Sequence, residues 1–230
     1  LNRFVAPWDA AEVRGAVVAV DVLRAFTTAA YAFAAGAAHI YLVADVDEAL
    51  ALKAAQPGML AMGEDHGRRP DGFDFSNSPV AVAAADLDGR VLVQRTSAGT
   101  RGILAARAAD RLWAASLVCA SATAAAVRAS GLGAPTFIIT GRFRDAPDLG
   151  DDDVATAALI DRAVRGVPLL ADETAAFVAA SDEAARTLAV GPGHMDPDDI
   201  AYATAVDRFD FAMEVTRSAD GARLERRPPG

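Results

Sequence analysis

Hydrophobic positions along the chain fall into short apolar runs separated by longer alanine-rich stretches. Runs at Val17–Val20, Ile40–Val43, Val91–Val93, Leu112–Ala114 and Phe137–Ile139 are continuous rather than alternating, which is how strands covered on both faces read. The stretches between them predict helices over Ala25–Ala35, Val46–Ala55, Thr100–Ala109, Ala122–Ser130, Asp152–Val164 and Glu173–Ala180. Alternation of this kind predicts an α/β fold, a three-layer α/β/α sandwich with a mostly parallel or mixed sheet. Near the end the period changes: Phe209, Phe211, Met213 and Val215 alternate with Asp210, Ala212 and Glu214. That spacing predicts a half-buried strand, antiparallel and at an edge. From Ser218 the sequence SADGARLERRPPG reads as a turn and a frayed tail, so the expected organisation is one α/β domain over residues 1–217 and a tail over 218–230.

Composition narrows the function classes. With 230 residues, 53% of them apolar, the chain can bury a large core and is not a disordered linker. A formal charge of −9 leaves no basic footprint, so nucleic acid and anionic membrane are not expected partners, and any anion must meet a local positive site. The richest apolar stretch, Ala25 to Ala38, is too short to span a bilayer. There is no signal-like opening and one cysteine, Cys119, which has no internal partner; a cytoplasmic protein is expected, with homo-oligomerisation left open.

Candidate chemistry gathers where apolar runs end. Val17–Val20 runs into Asp21, followed by Arg24, Thr27 and Thr28, so one stretch offers a carboxylate, a guanidinium and two hydroxyls at the carboxyl end of a strand, where α/β folds bind ligands. Asp is also a favoured helix cap, which is the plain structural alternative. Met59–Met62 leads into Glu64 and the charged loop to Pro79, which contains Asn77. A second strand-end carboxylate can join Asp21 on a hard cation such as Mg²⁺. The RTSAGTRG segment, Arg95–Gly102, joins a strand to a helix through small and hydroxyl residues and lets backbone N–H groups converge on an anion; it lacks the GK[ST] ending of a nucleotide-binding P-loop. Arg142 follows the Phe137–Ile139 run, and Asp151, Asp152 and Asp153 open a helix, where acidic residues also complement the dipole. His39, His66 and His194 have no zinc-like spacing.

Six of these motifs in this order resemble the 2-phosphosulfolactate phosphatase family over nearly the whole chain. They are DVLRA-x-T at Asp21–Thr27, the GE loop ending in GFD-x-x-NSP at Gly63–Pro79, a TTNGT-like turn at Thr96–Thr100, an SLVNA-like segment at Ser116–Ala120, the acidic pair Asp152–Asp153, and D-[RK]-[FY]-D-F at Asp207–Phe211. The resemblance implies an α/β enzyme that hydrolyses a small anionic phosphomonoester, 2-phosphosulfolactate, with Mg²⁺, as a step in coenzyme M synthesis. Departures affect ligand donors: Ser97 and Ala98 replace a threonine and an asparagine, Asp65 and His66 replace an arginine and a glycine, and Cys119 replaces an asparagine. Hydrolysis of another phosphorylated hydroxy acid, or anion binding without chemistry, is the alternative.

The expected roles follow. Asp21, Arg24 and Glu64 are catalytic; Asp21 and Glu64, with Asp152 and Asp153, hold Mg²⁺; Thr27, Thr96, Ser97, Gly99, Thr100 and Arg101 bind phosphate; Asn77 and Arg142 bind the rest of the substrate. The nucleophile is a metal-activated water or, as rival, Asp21 itself. Cys119 reads as a small buried hydrophobe.

Overall fold

A computed structural model describes residues 3–228. Among the described residues ten strands form one sheet: β1 Phe4–Val5, β2 Ala16–Val20, β3 His39–Val43, β4 Leu60–Gly63, β5 Phe75–Ser76, β6 Val91–Arg95, β7 Arg111–Ala115, β8 Thr136–Ile139, β9 Ala212–Ser218 and β10 Gly221–Arg227, in the order β1-β8-β2-β7-β9-β10-β3-β6-β4-β5. The helices are α1 Ala25–Ala34, α2 Val46–Ala55, α3 Pro79–Ala83, α4 Gly99–Ala105, α5 Ala120–Ala129, α6 Asp151–Val164, α7 Ala171–Ala179, α8 Asp182–Ala189 and α9 Asp199–Ala203. No helix among the described residues is long and apolar enough to cross a membrane.

The strands predicted from continuous apolar runs are covered on both faces. In β2, Val17 and Ala19 belong to one core while Ala16, Val18 and Val20 belong to another, so the two-residue period sends every side chain into a helix layer. The second core is closed by α5 and α6, and a third, around Tyr41, Val93 and Ala49, lies under α2. Helix α1 sits in the first core with nine of its ten residues buried. Its alanines explain how strands from both halves of the sheet approach it, since Val17 and Ala114 from one half and Ile40, Met62 and Leu92 from the other share that core.

The end of the chain differs from expectation. Strand β9 is antiparallel as predicted, but it is central rather than at an edge, pairing with β7 and β10. Residues 221–227 are not a tail: β10 pairs with β9 and β3 and buries Ala222 and Leu224. Only those two apolar side chains mark it in a run of arginines and glutamate, so its hydrophobic signal is faint, and cross-strand pairing supplies the rest. Helix α4 stops at Ala105, short of the predicted Ala109, and α3, α8 and α9 are additional short helices.

This hairpin divides two parallel blocks, β1-β8-β2-β7 and β3-β6-β4-β5, and the three antiparallel pairings between them give the blocks opposite formal directions. In a flat sheet the carboxyl ends of β2 and β4 would therefore face opposite edges. At roughly 20–25° of twist per strand, the six steps from β2 to β4 accumulate about 120–150°, which offsets most of the reversal as the sheet wraps around α1. The wrap brings the ends of β2, β4 and β6 to one cleft, and in the core the Gln94 side chain of β6 donates to the Ala25 carbonyl of α1 at 2.8 Å.

Candidate active site

The acidic wall of the cleft is built where β2 ends. Asp21 Oδ1 accepts the Ala25 N–H at 2.8 Å and Oδ2 accepts the Thr140 hydroxyl at 3.1 Å. Asp21 thus serves the first turn of α1 and faces the cleft at the same time. Asp153, in the first turn of α6, accepts the Val22 N–H at 3.0 Å and the Gly141 N–H at 2.9 Å, tying α6 to the ends of β2 and β8. Asp152 beside it is also buried, and its own N–H donates to Asp151 Oδ1 at 3.0 Å. Glu183 and Arg186 of α8 close this side.

Crowding these acids away from water favours their neutral forms. Burial, followed by the Glu183 and Asp21 charges, pushes the Asp152 carboxyl from 3.8 to about 8. Burial, with smaller contributions from Glu64 and Glu183, lifts Asp21 to about 6 against the opposing hydrogen bonds from Ala25 and Thr140. Asp153 and Glu183 are raised as well, burial being the first cause in each.

The opposite wall comes from β4 and β6. Glu64 is buried; its Oε1 accepts the Ser97 N–H, while Oε2 accepts the Ser97 hydroxyl at 3.0 Å and the Gly67 N–H at 2.6 Å. Arg95 braces this arrangement through the Glu64 carbonyl at 2.6 Å, the Asp65 carboxylate at 2.7 Å and the Ala44 carbonyl at 3.1 Å. Gly63 precedes Glu64 with φ +133°, and a Cβ there would lie 1.9 Å from the Arg95 carbonyl oxygen, so only glycine permits this approach of β4 to β6. Arg24 reaches the cleft from the β2 side, with Nη1 on Asp199 at 2.8 Å and on the His194 carbonyl at 3.2 Å.

Asp21, Arg24, Glu64, Asn77, Thr96, Ser97, Arg101, Asp152 and Asp153 all line this single cleft of about 590 Å³. Asn77 is buried and its Oδ1 has no partner among the described residues, which suits a group that meets a ligand.

Three predicted phosphate contacts are corrected. The Thr27 hydroxyl lies in the core, donating to the Val22 carbonyl at 2.7 Å and sharing a hydrogen bond with Ser116 Oγ at 2.8 Å. Thr100 Oγ1 donates to the Thr96 carbonyl at 2.8 Å and accepts the Thr96 N–H at 3.0 Å, so it fixes the turn instead of facing the cleft. Gly99 is buried against Asp21: a Cβ would lie 2.8 Å from Asp21 Oδ2 and 2.7 Å from Ala25 Cβ. Its smallness lets α4 meet the end of β2, and it does not line the cleft. Arg142 is also outside the cleft, lining a separate hollow with Asp148, Asp151 and Phe177.

Sequence reasoning missed Glu183, Arg186 and Asp199. Ser181 accepts the Ala184 N–H ahead of Asp182 and Glu183, a helix-start signal that marks α8, and DPDD at 196–199 is a comparable signal for α9. Among the described residues no three His, Cys, Asp or Glu side chains form a ready-made metal cage. The donor chemistry still fits a hard cation: Asp21, Asp152 and Asp153 bring carboxyl oxygens together in a buried cluster whose charged forms a cation would favour.

A family model described as 2-phosphosulpholactate phosphatase matches residues 5–217, a span that contains both walls of the cleft. The chain belongs to the 2-phosphosulfolactate phosphatase family. A probable 2-phosphosulfolactate phosphatase of Bacillus subtilis is 33% identical over 210 residues, covering 91% of this chain and 90% of that protein. Proteins of the same description from Thermus thermophilus and Carboxydothermus hydrogenoformans are 37% identical over 145 residues and 43% over 109, covering 63% and 47% of this chain and 59% and 45% of their own lengths. In this phosphatase family member, Asp21, Glu64 and the Thr96–Ala98 segment, far apart in sequence, bound one cleft.

Proposed function

We propose that the protein is a Mg²⁺-dependent phosphatase of a small anionic phosphomonoester, with 2-phosphosulfolactate, cleaved to sulfolactate and phosphate, as the first candidate. The observation that carries this reading is the meeting of buried acids, Asp21, Asp152 and Asp153, with Arg24, Arg101 and the Ser97 turn in one cleft. Asp21, Asp152 and Asp153 would hold the cation, with Glu64 joining once it exchanges its Ser97 and Gly67 donors. When bound, Mg²⁺ neutralises phosphate charge and lowers the pKa of a coordinated water.

The protein's own share is positioning and charge complementarity, which dominate phosphoryl transfer. Arg24 and Arg101 bind phosphate oxygens, and Asn77 binds a polar group of the leaving alcohol. Water is the nucleophile: its oxygen bonds to phosphorus, the bond from phosphorus to the ester oxygen breaks, and a proton passes to that oxygen. Two hydrogen bonds already hold Asp21, one on each carboxyl oxygen, which favours an orienting role over attack.

A second reading is anion binding without hydrolysis. It draws on Glu64, which already occupies the Ser97 donors as an incoming anion would. Phosphate release from 2-phosphosulfolactate and a panel of phosphorylated 2-hydroxy acids, with Mg²⁺ or excess chelator, separates the two. Mg²⁺-dependent turnover that Asp21→Asn abolishes is the expected result. Folded protein that binds phosphate yet cleaves nothing on the panel would favour the second reading, and undiminished turnover in chelator would remove Mg²⁺ from the first.

A further inference from the structure

The segment from Gly191 to Asp199 has no role so far, yet it carries a buried carboxylate that is fully engaged beside the cleft. Asp199 has no exposed surface. Its Oδ1 accepts the Ser78 hydroxyl at 2.6 Å and the Val80 N–H at 3.3 Å; its Oδ2 accepts the Asp196 N–H at 3.0 Å and Arg24 Nη1 at 2.8 Å. Arg24 Nη1 also donates to the His194 carbonyl, while the other guanidinium nitrogens make no hydrogen bond among the described residues and Arg24 lines the cleft. One edge of the guanidinium is therefore anchored and the other is uncommitted.

The anchoring matters because of what else is within reach. Asp21, Asp152 and Glu183 face the same cleft, and the Arg24 charge already acts on Glu183. A long, unrestrained guanidinium in that setting would pair with one of these acids, covering a carboxylate and withdrawing its own donors from a ligand. A carboxylate placed behind Arg24 and held by Ser78, Val80 and Asp196 prevents this collapse and fixes the fork in advance.

We infer that Asp199, seated by Ser78, is a positioning residue that acts through Arg24, holding one edge of the guanidinium so that the other is presented to an oxyanion in the cleft. This rests on the proposed phosphatase reading only in assigning the oxyanion to a phosphomonoester. The pairing also explains why the ends of α9 and α3 converge behind Arg24, since Ser78 precedes α3 and Asp199 opens α9.

The test is a double-mutant cycle read by inorganic phosphate affinity in calorimetry, using the full chain and the variants Asp199→Asn, Arg24→Ala and both together. Asp199→Asn keeps the shape and loses the charge. The expected result is at least a tenfold loss of phosphate affinity with Arg24 present and less than a twofold change in the Arg24→Ala background. Equal losses in both backgrounds would overturn the inference, because they would show that Asp199 acts by another route. Should Asp199→Asn fail to fold, Ser78→Ala keeps the ion pair and removes one donor from Asp199; a loss of about threefold that vanishes with Arg24→Ala supports the inference, and one that persists refutes it. Coupling without any phosphomonoester cleavage would sustain Asp199 and sink the phosphatase reading. Cleavage with an additive cycle would do the reverse, and a wild-type protein with no phosphate affinity would overturn both.

Discussion

Replacing Asp152 by asparagine should stabilise the metal-free protein, by an amount that grows as pH rises from about 4 toward 8. The carboxyl is buried and has its pKa raised from 3.8 to about 8 by burial first and by Glu183 and Asp21 next, against the opposing hydrogen bond from the Asp153 N–H. Because the folded-state value lies above the unfolded one, the folded protein binds the extra proton. Its contribution is fully present below about pH 4 and is lost as pH rises toward 8. At about 1.4 kcal/mol per unit, a shift of about 4 units has a limit of about 5–6 kcal/mol at pH 8 and about 2 kcal/mol at pH 5. Asp21 and Asp153 repel Asp152 and share that cost, and removing a charge from the first turn of α6 forfeits about 0.3–1 kcal/mol of helix-dipole stabilisation. Desolvation still wins at pH 8, where the net gain should be about 2–3 kcal/mol, or a rise in Tm of roughly 4–12 °C for a chain of this size. Urea and thermal denaturation in chelator from pH 4.5 to 8.5 would measure it. If wild type and Asp152→Asn keep a constant difference across that range, the carboxyl is not held neutral by its surroundings and the account of the acidic wall fails.

Mg²⁺ at millimolar concentration should raise the Tm of the wild type at pH 8, approaching about 2.7 kcal/mol of stabilisation at a hundredfold excess over Kd, and should raise that of Asp152→Asn much less; equal shifts would place the cation elsewhere. Gly99→Ala would push a methyl group to 2.8 Å from Asp21 Oδ2 and 2.7 Å from Ala25 Cβ, so it should cost about 1–3 kcal/mol in urea denaturation, and an unchanged midpoint would refute the close approach. Leu224 is fully buried in β10, so Leu224→Ala should destabilise by about 2–5 kcal/mol in the same assay, whereas a surface-like change within 0.5 kcal/mol would return residues 218–228 to a loosely attached tail.

The sequence by itself determined the local elements and the types of chemistry available. Continuous runs such as Val17–Val20 and Phe137–Ile139 specify strands because both of their faces must be buried, and the alanine-rich Ala25–Ala34 specifies a helix that strands can approach closely. The motif order from Asp21 to Phe211 was enough to indicate the family. Which of these residues face one another was decided only in three dimensions. Thr27 and Thr96 carry the same hydroxyl, but helical phase turns the first into the core toward Ser116 while the second lines the cleft. Arg142 follows a strand as Asp21 does, yet the chain carries it to a different hollow. Asp199 lies 175 residues from Arg24, and no local period connects them. Above all, the shared cleft depends on the central β9–β10 hairpin and on sheet twist, which together reverse one parallel block and then swing its carboxyl ends back toward Asp21. Twist accumulates over many strands and pairing joins residues far apart in the chain, so neither leaves a signature in any short window of sequence.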